Sequence, residues 1–261
     1  MKNIEDAVRL LDLFWERDEL SIREAARRLN MSKSAVHRLA SALEQVGFLT
    51  QDPNTRMYHL GMRLLQYGGL ARRQSLFVGE ALPILRRLMR LTGETVHLAA
   101  LEGGRVVYLV RIESPDMPDT MPSGPGWRNP AHSTAAGKAL LAFQDTSYTE
   151  TLLNRSLERF TPNTYTDHDL LLRHLRDVRA CGIAFDLEER ESGFRCIGAP
   201  LLNRDGEAIA SISIAGSVSR LTSSRVRQLA PVVRECAEVL RQILPDEDTL
   251  IFVSRVAGQI G

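Results

Sequence analysis

The chain is poor in cysteine: Cys181, Cys196 and Cys236 are its only three, far apart and without a C-x-x-C pair. An odd, scattered set excludes a disulfide framework and a cysteine-rich zinc site, and makes the reducing cytoplasm the expected location. Long apolar runs are also missing. Charges interrupt every candidate helix, so no segment reads as a membrane span, and Met1-Lys2-Asn3-Ile4-Glu5-Asp6 has no signal-peptide core. Nor is there a charge excess. With 33 Lys/Arg against 32 Asp/Glu, the formal charge is +1, which announces no polyanionic partner. Catalytic signatures are lacking too: G-x-S-x-G, H-E-x-x-H and the kinase set are absent. Gly137-Lys138 imitates a P-loop, but His132 stands where the first glycine belongs and Ala139 replaces the Mg-binding hydroxyl. Neither enzyme activity nor a cofactor is expected.

What is present suits two domains with separate cores: 261 residues, 44% hydrophobic and 25% charged. Residues 1–74 hold 12 Lys/Arg and 9 Asp/Glu, a net +3, and the basic residues that matter cluster between Arg23 and Arg38. A first helix is expected over residues 4–17, with Val8, Leu11 and Trp15 at helical spacing. Ser21-Ile22-Arg23-Glu24 fits a capping box, and the helix it opens stops near Asn30. Ser32 caps the next helix, residues 33–45, and Gly47 ends it. Two short helices joined by a tight turn make a helix-turn-helix. Residues 48–51 and 56–60 flank the turn formers Asp52-Pro53-Asn54-Thr55, and a hairpin in that place is a wing.

Helical periodicity returns over 62–69 and 76–91. Strands are expected at 96–101 and 106–112 around Gly103-Gly104, then at 183–187, 196–202 and 208–215. Between them lie a Pro/Gly-rich loop at 114–130, a small-residue helix from about Ser133, and helices at 147–155 and 167–180. A long helix over 222–243 closes the fold. Hairpin-paired strands mixed with helices give an α+β class with one antiparallel sheet.

On the helix 33–45, Val36, Leu39, Ala40 and Leu43 share the core side. Ser34, Arg38, Ser41 and Gln45 fall opposite, with Lys33 and His37 on the flank. Arginine can grip a guanine edge, while Ser and Gln reach bases or phosphates. Ser32 and Lys33 sit at a helix start whose free amides favour phosphate. Thr55 and Arg56 in the wing can meet backbone or minor groove. A polar face is ordinary for any lone soluble helix. Here it follows a capping box and precedes a wing, an order that favours double-stranded DNA as the partner.

Three later segments can converge on a ligand. His132-Ser133-Thr134-Ala135-Ala136-Gly137-Lys138 offers caps and small residues, although smallness equally serves close packing. Asp186 lies at a strand end, followed by Glu188, Glu189 and Glu191, which read as a solvated turn or helix start. Ser211, Ser213 and Ala215 share one strand face, Ile212 and Ile214 the other. Cys196 alone reads as a small core residue as readily as a ligand group. A second reading has His97, His132, Asp186 and Cys196 coordinating a cation, which would make the chain a metal-responsive regulator.

Residues 4–61, above all Leu20-Ser21-Ile22-Arg23-Glu24-Ala25-Ala26 and Lys33-Ser34-Ala35-Val36-His37-Arg38-Leu39, resemble the IclR family of bacterial transcriptional regulators. The likeness continues through Gly182-Ile183-Ala184-Phe185-Asp186, Gly193-Phe194-Arg195-Cys196-Ile197-Gly198-Ala199-Pro200 and Ala210-Ser211-Ile212-Ser213-Ile214-Ala215-Gly216. It implies a winged helix-turn-helix at 1–61, a linker helix at 62–75, a GAF-like effector-binding domain at 76–248 and a tail at 249–261. It also implies a homodimer or tetramer that binds operator DNA and a small carboxylate. Ala135 and Ala136 would then present amides to the carboxylate, with Asp186, Cys196 and Ser213 at the polar end and Met121 as a cover. This chain departs from the family pattern in three places. Ala35 stands where threonine is usual, Ala215 replaces a hydroxyl found in glyoxylate- and pyruvate-binding relatives, and Asn129 replaces an aliphatic residue. The last two changes point to a polyhydroxylated acid, such as a sugar acid.

Overall fold

The computed structural model describes residues 2–74, 76–115, 123–153 and 156–243. The expected tail at 249–261 lies outside them. The chain divides into two compact units, Met1–Gln74 and Ser75–Gly261.

In the first unit, α1 (Lys2–Asp12) gives way to a 3-10 turn at Leu13–Trp15, where a single helix to residue 17 was expected. Helix α2 (Ile22–Leu29) starts at Ser21, whose Oγ accepts the Glu24 amide at 3.1 Å. The return half of the expected box is not made. The Glu24 carboxylate turns instead to Arg28 and Arg17, at 3.4 and 3.9 Å, because nearby cations outcompete a single amide. Asn30 ends α2 in the left-handed conformation at φ 53°. Helix α3 (Lys33–Gln45) is capped by Ser32, which accepts the Ala35 amide, and Gly47 follows it at φ 75°. Strands β1 (Leu49–Gln51) and β2 (Tyr58–Leu60) form the wing, shorter than expected, and Leu20 bridges to Tyr58 beside them. Leu10, Ala26, Leu29, Val36, Ala40, Leu43, Leu49 and Tyr58 make one core. Helix α4 (Met62–Gln74) runs past the expected stop at residue 69. Gly68 and Gly69 are weak helix formers, but neither adopts the positive φ of a terminating glycine, so the helix continues through them.

The second unit is built on a six-stranded sheet. Its strands, β3 (Thr95–Glu102), β4 (Arg105–Ile112), β5 (Arg128–Pro130), β6 (Ala184–Leu187), β7 (Phe194–Leu202) and β8 (Ala208–Ser217), take the order β5-β4-β3-β8-β7-β6. Every pairing is antiparallel. Helices α5 (Leu76–Thr92) and α9 (Ser223–Gln242) cover one face, where Leu85, Leu88, Val226, Leu229 and Val233 pack on Val96, Leu98, Ile212 and Ile214. Helices α6 (Ala135–Leu141) and α8 (His168–Cys181) cover the other, on Ala99, Leu101, Tyr108 and Ala184. A further helix, α7, spans Thr146–Leu153. The alternation along β8 is as read: Ile212 and Ile214 enter the α5/α9 core, leaving Ser211, Ser213 and Ala215 for the α6 side. Strand β5 escapes sequence reading because it has only three residues and ends in proline, a combination tolerated at a sheet edge.

Helix α6 starts later than expected. Ala131–Ser133 is a 3-10 turn, and Thr134 is the cap, its Oγ1 accepting the Gly137 amide at 3.0 Å. The start of α6 lies against β7. A Cβ on Gly198 would stand 2.6 Å from the Ala135 carbonyl oxygen, and one on Gly137 2.3 Å from that of Ala131. Smallness at Gly137 is therefore used for packing rather than for admitting a ligand.

Candidate nucleic-acid interface and effector pocket

Helix α3 buries Val36, Ala40 and Leu43 and leaves Ser32, Lys33, Ser34, His37, Arg38 and Gln45 exposed. Ser41 is half-buried and lies beside Tyr58 of the wing, so it is less open than the rest of this face. Glu44, the carboxylate nearest this face, is held at the far end, where its Oε1 accepts the Gln51 amide at 3.2 Å. The wing turn is ordered by Asp52, whose Oδ1 accepts the Asn54 and Thr55 amides at 2.8 Å each. Those bonds hold its carboxyl below the usual carboxylate range. Thr55 and Arg56 are exposed at the tip, Arg56 at φ 59° with its carbonyl accepting from the Gln51 side chain. Arg23 and Arg27 belong to the basic cluster between Arg23 and Arg38 but were not expected individually as DNA contacts. They are exposed and line, with Lys33, a groove of about 790 Å³ beside the start of α3. Their signal was the helical spacing of Arg23 and Arg27, four apart on α2.

In the second unit, strand register assembles the other predicted site. Asp186 on β6 pairs with Cys196 on β7, and Cys196 with Ala215 on β8. One step along, Gly198 pairs with Ser213, and Ser213 with His97 on β3. Asn129, Ala135, Ala136, Asp186, Cys196, Ser213 and Ala215 line one small cavity, joined by His97, Tyr108, Thr134 and Arg190. The cavity holds only about 10 Å³, room for about one water. Met121 lies outside the described residues.

The pocket is polar and tightly wired. Burial pushes Asp186 up to about 7, with the neighbouring Glu189 charge adding to the effect, although its Oδ1 accepts the Glu189 and Arg190 amides. Burial raises the Cys196 thiol, with the neighbouring Asp186 charge adding to the effect, and it stays protonated. Burial also lowers His97 to about 3, so its imidazole is neutral; Nε2 meets Ser123 Oγ at 2.9 Å and the ring lies 4.8 Å from that of Tyr108. Asn129 donates to the Tyr108 hydroxyl and accepts from Arg190 Nε at 3.3 Å. Tyr108 and Arg190 were not expected in the pocket, because a strand and a turn bring them there through a register no local pattern reveals; His97 was expected only as a metal ligand and Thr134 only within the capping segment 132–138.

Behind Asp186 lies a buried ion pair. Lys138 is fully buried, contacts both Glu189 carboxylate oxygens and sits 5.1 Å from the centre of the Tyr165 ring. Burial pushes the Glu189 carboxyl up, opposed by Lys138. This corrects the expectation of a solvated glutamate turn: Glu189 is buried, because its turn folds under α6, and Glu188 bonds Arg195 and the Gly193 amide. The metal reading finds no matching geometry. Among the described residues no three His, Cys, Asp or Glu side chains gather as ligands, and His132 Nε2 meets the Glu158 carbonyl at 3.0 Å. Among the described residues no helix is long and apolar enough to cross a membrane.

Comparison with known proteins agrees with both halves. Residues 4–53 match the IclR helix-turn-helix domain, and residues 73–242 the bacterial transcriptional regulator IclR C-terminal domain. The chain is 37% identical over 241 residues to the HTH-type transcriptional regulator BhcR of Paracoccus denitrificans, covering 92% of this chain and 86% of that one. Its fold superposes on an IclR transcriptional regulator of Alicyclobacillus acidocaldarius with a TM-score of 0.83 at 26% identity, over 93% and 98% of the two chains. An IclR homolog of Microbacterium hydrocarbonoxydans, complexed with 4-hydroxybenzoate, superposes with a TM-score of 0.77 at 26% identity, over 92% and 98%. A helix-turn-helix ahead of an α+β effector domain with an antiparallel sheet, matched over nearly the whole chain, marks a DNA-binding regulator and not an enzyme: the chain belongs to the IclR family of bacterial transcriptional regulators.

Proposed function

We propose that this regulator changes its affinity for operator DNA when a small hydroxylated organic acid, of the sugar-acid class, enters the pocket lined by Asn129, Ala135, Ala136, Asp186, Cys196 and Ser213. The observation that carries the reading is the convergence of these residues, from β5, α6 and three strands, on one small cavity that several polar side chains line. Asn129, Tyr108 and Ser213 supply amide and hydroxyl groups that match a polyol better than a bare oxo acid. Ala215 offers no hydroxyl to a carboxylate. Residues 1–61 are assigned to DNA reading, 62–75 to a linker and 76–248 to effector binding.

The reading element is α3, with Ser32, Lys33, Ser34, His37, Arg38, Ser41 and Gln45 toward the major groove and Thr55 and Arg56 on the adjoining backbone. We assign a homodimer or a pair of dimers in the cytoplasm. The assignment is supported by the apolar side chains that α1 and α4 expose, Ile4, Met62 and Leu65 among them. A cavity of about 10 Å³ cannot hold a sugar acid, so the ligand binds a wider form of the pocket and draws the population toward it. DNA affinity changes to the extent that the two forms differ in it. Calorimetric titration with a panel of acids, followed by operator shifts with and without each one, tests the proposal. Tight binding of pyruvate with no response to any sugar acid would reject it.

A further inference from the structure

We infer that Arg190 is the specificity-determining residue of the pocket, and that the effector carries a second carboxylate, which Arg190 grips. The inference rests on the sugar-acid reading and narrows it to a hydroxylated dicarboxylate.

Arg190 is half-buried at the pocket wall. Its guanidinium lies 4.0 Å from the centre of the Phe160 ring, a contact that fixes its plane. Nε donates to Asn129 Oδ1 at 3.3 Å, and Asn129 is itself buried and anchored on the Tyr108 hydroxyl. The head group is therefore positioned through one nitrogen. Among the described residues, Nη1 and Nη2 meet no acceptor, and no carboxylate lies within ion-pair distance.

Among the described residues, the three acids that precede Arg190 in its turn are committed elsewhere. Glu189 is taken by Lys138, and the bonded oxygen of Asp186 accepts the Glu189 and Arg190 backbone amides rather than the Arg190 side chain. Glu188 pairs with Arg195. An oriented, partly desolvated guanidinium with both terminal nitrogens available is the group that binds a carboxylate in fork geometry. A structural arginine in such a place would be expected to close on one of these three acids. Here the sequence Asp186-Leu187-Glu188-Glu189-Arg190 sets them side by side, and each acid goes to another partner.

The test compares two acids of equal length, D-gluconate and D-glucarate, titrated by calorimetry into the full-length protein and its Arg190→Gln and Arg190→Lys variants, each checked for an unchanged melting profile. The expected result is glucarate binding at least tenfold tighter than gluconate in the parent. Arg190→Gln should erase that preference, weakening glucarate at least tenfold more than gluconate, and Arg190→Lys should retain part of it. Gluconate binding as tightly as glucarate in the parent overturns the inference and leaves the sugar-acid reading standing. Equal loss of both acids in a folded Arg190→Gln protein makes the residue a scaffold and also overturns it. Failure of the parent to bind either acid removes both readings together.

Discussion

The Lys138–Glu189 pair offers a perturbation whose size follows from its burial. Lys138 is fully buried and Glu189 nearly so, which means that removing either partner strands a charge in the protein interior. Breaking such a pair costs about 3–5 kcal/mol, whereas replacing both partners by apolar residues of similar volume is often close to neutral. For a unit of this size, each kcal/mol moves the melting midpoint by about 2–4 °C, so Lys138→Met or Glu189→Leu alone should lower it by roughly 6–20 °C. The double variant should recover most of that loss. Thermal melts of the four proteins, followed by circular dichroism, complete the cycle. The loss should also reach the pocket, because the Glu189 amide holds Asp186 Oδ1 at 2.7 Å. Single variants within about 1 kcal/mol of the parent, or a double variant as unstable as the two losses summed, would refute the argument.

Other perturbations probe separate parts. Gly198→Ala drives a Cβ against the Ala135 carbonyl, and overpacking of this kind costs about 1–3 kcal/mol; calorimetry should show effector binding lost, while gel shifts at 25 °C should show DNA binding retained. Asp186 has its folded pKa raised to about 7 from 3.8, so its contribution to stability is full below pH 4 and is lost as the pH rises through 7. Asp186→Asn should therefore raise the melting midpoint at pH 8 and leave it almost unchanged at pH 4. By the same sign, carboxylate binding to the parent should weaken as the pH rises through about 7, since an Asp186 charge then joins a pocket where Lys138 is already neutralised by Glu189, Cys196 is protonated and Arg190 alone is cationic. Ser32→Ala should cost about 1 kcal/mol in denaturant melts and Ser32→Gly a few tenths, because the lost group is an N-cap acceptor.

Much of the first unit was legible because its signals are local. Ser21, Asn30, Ser32 and Gly47 each punctuate a helix by their own backbone chemistry, and the alternation of Val36, Ala40 and Leu43 with Lys33, His37 and Arg38 needs no distant partner. The chain beyond was harder where tertiary packing decided the outcome. Thr134 rather than Ser133 caps α6, because the preceding residues wind into a 3-10 turn against Gly137. Lys138 and Glu189 lie 51 residues apart, and nothing local distinguishes them from solvated surface charges. The pocket residues carried over by resemblance, Asn129, Ala135, Asp186, Cys196 and Ser213, do line one cavity. His97, Tyr108 and Arg190 reach it through strand register and a turn, which a linear pattern does not encode. The expected half of the Glu24 box failed for a local reason: Arg28, four residues on, captured the carboxylate.

The central claim is that the exposed side of α3 reads duplex sequence. Operator fragments can be selected from a random duplex library with the purified protein, then titrated with the parent and with Lys33→Ala/Arg38→Ala across a range of salt. The account predicts at least a tenfold loss on the selected site, a fall in discrimination against unrelated duplex, and a salt slope reduced by up to about 2. Unchanged affinity and unchanged discrimination in the double variant would contradict it.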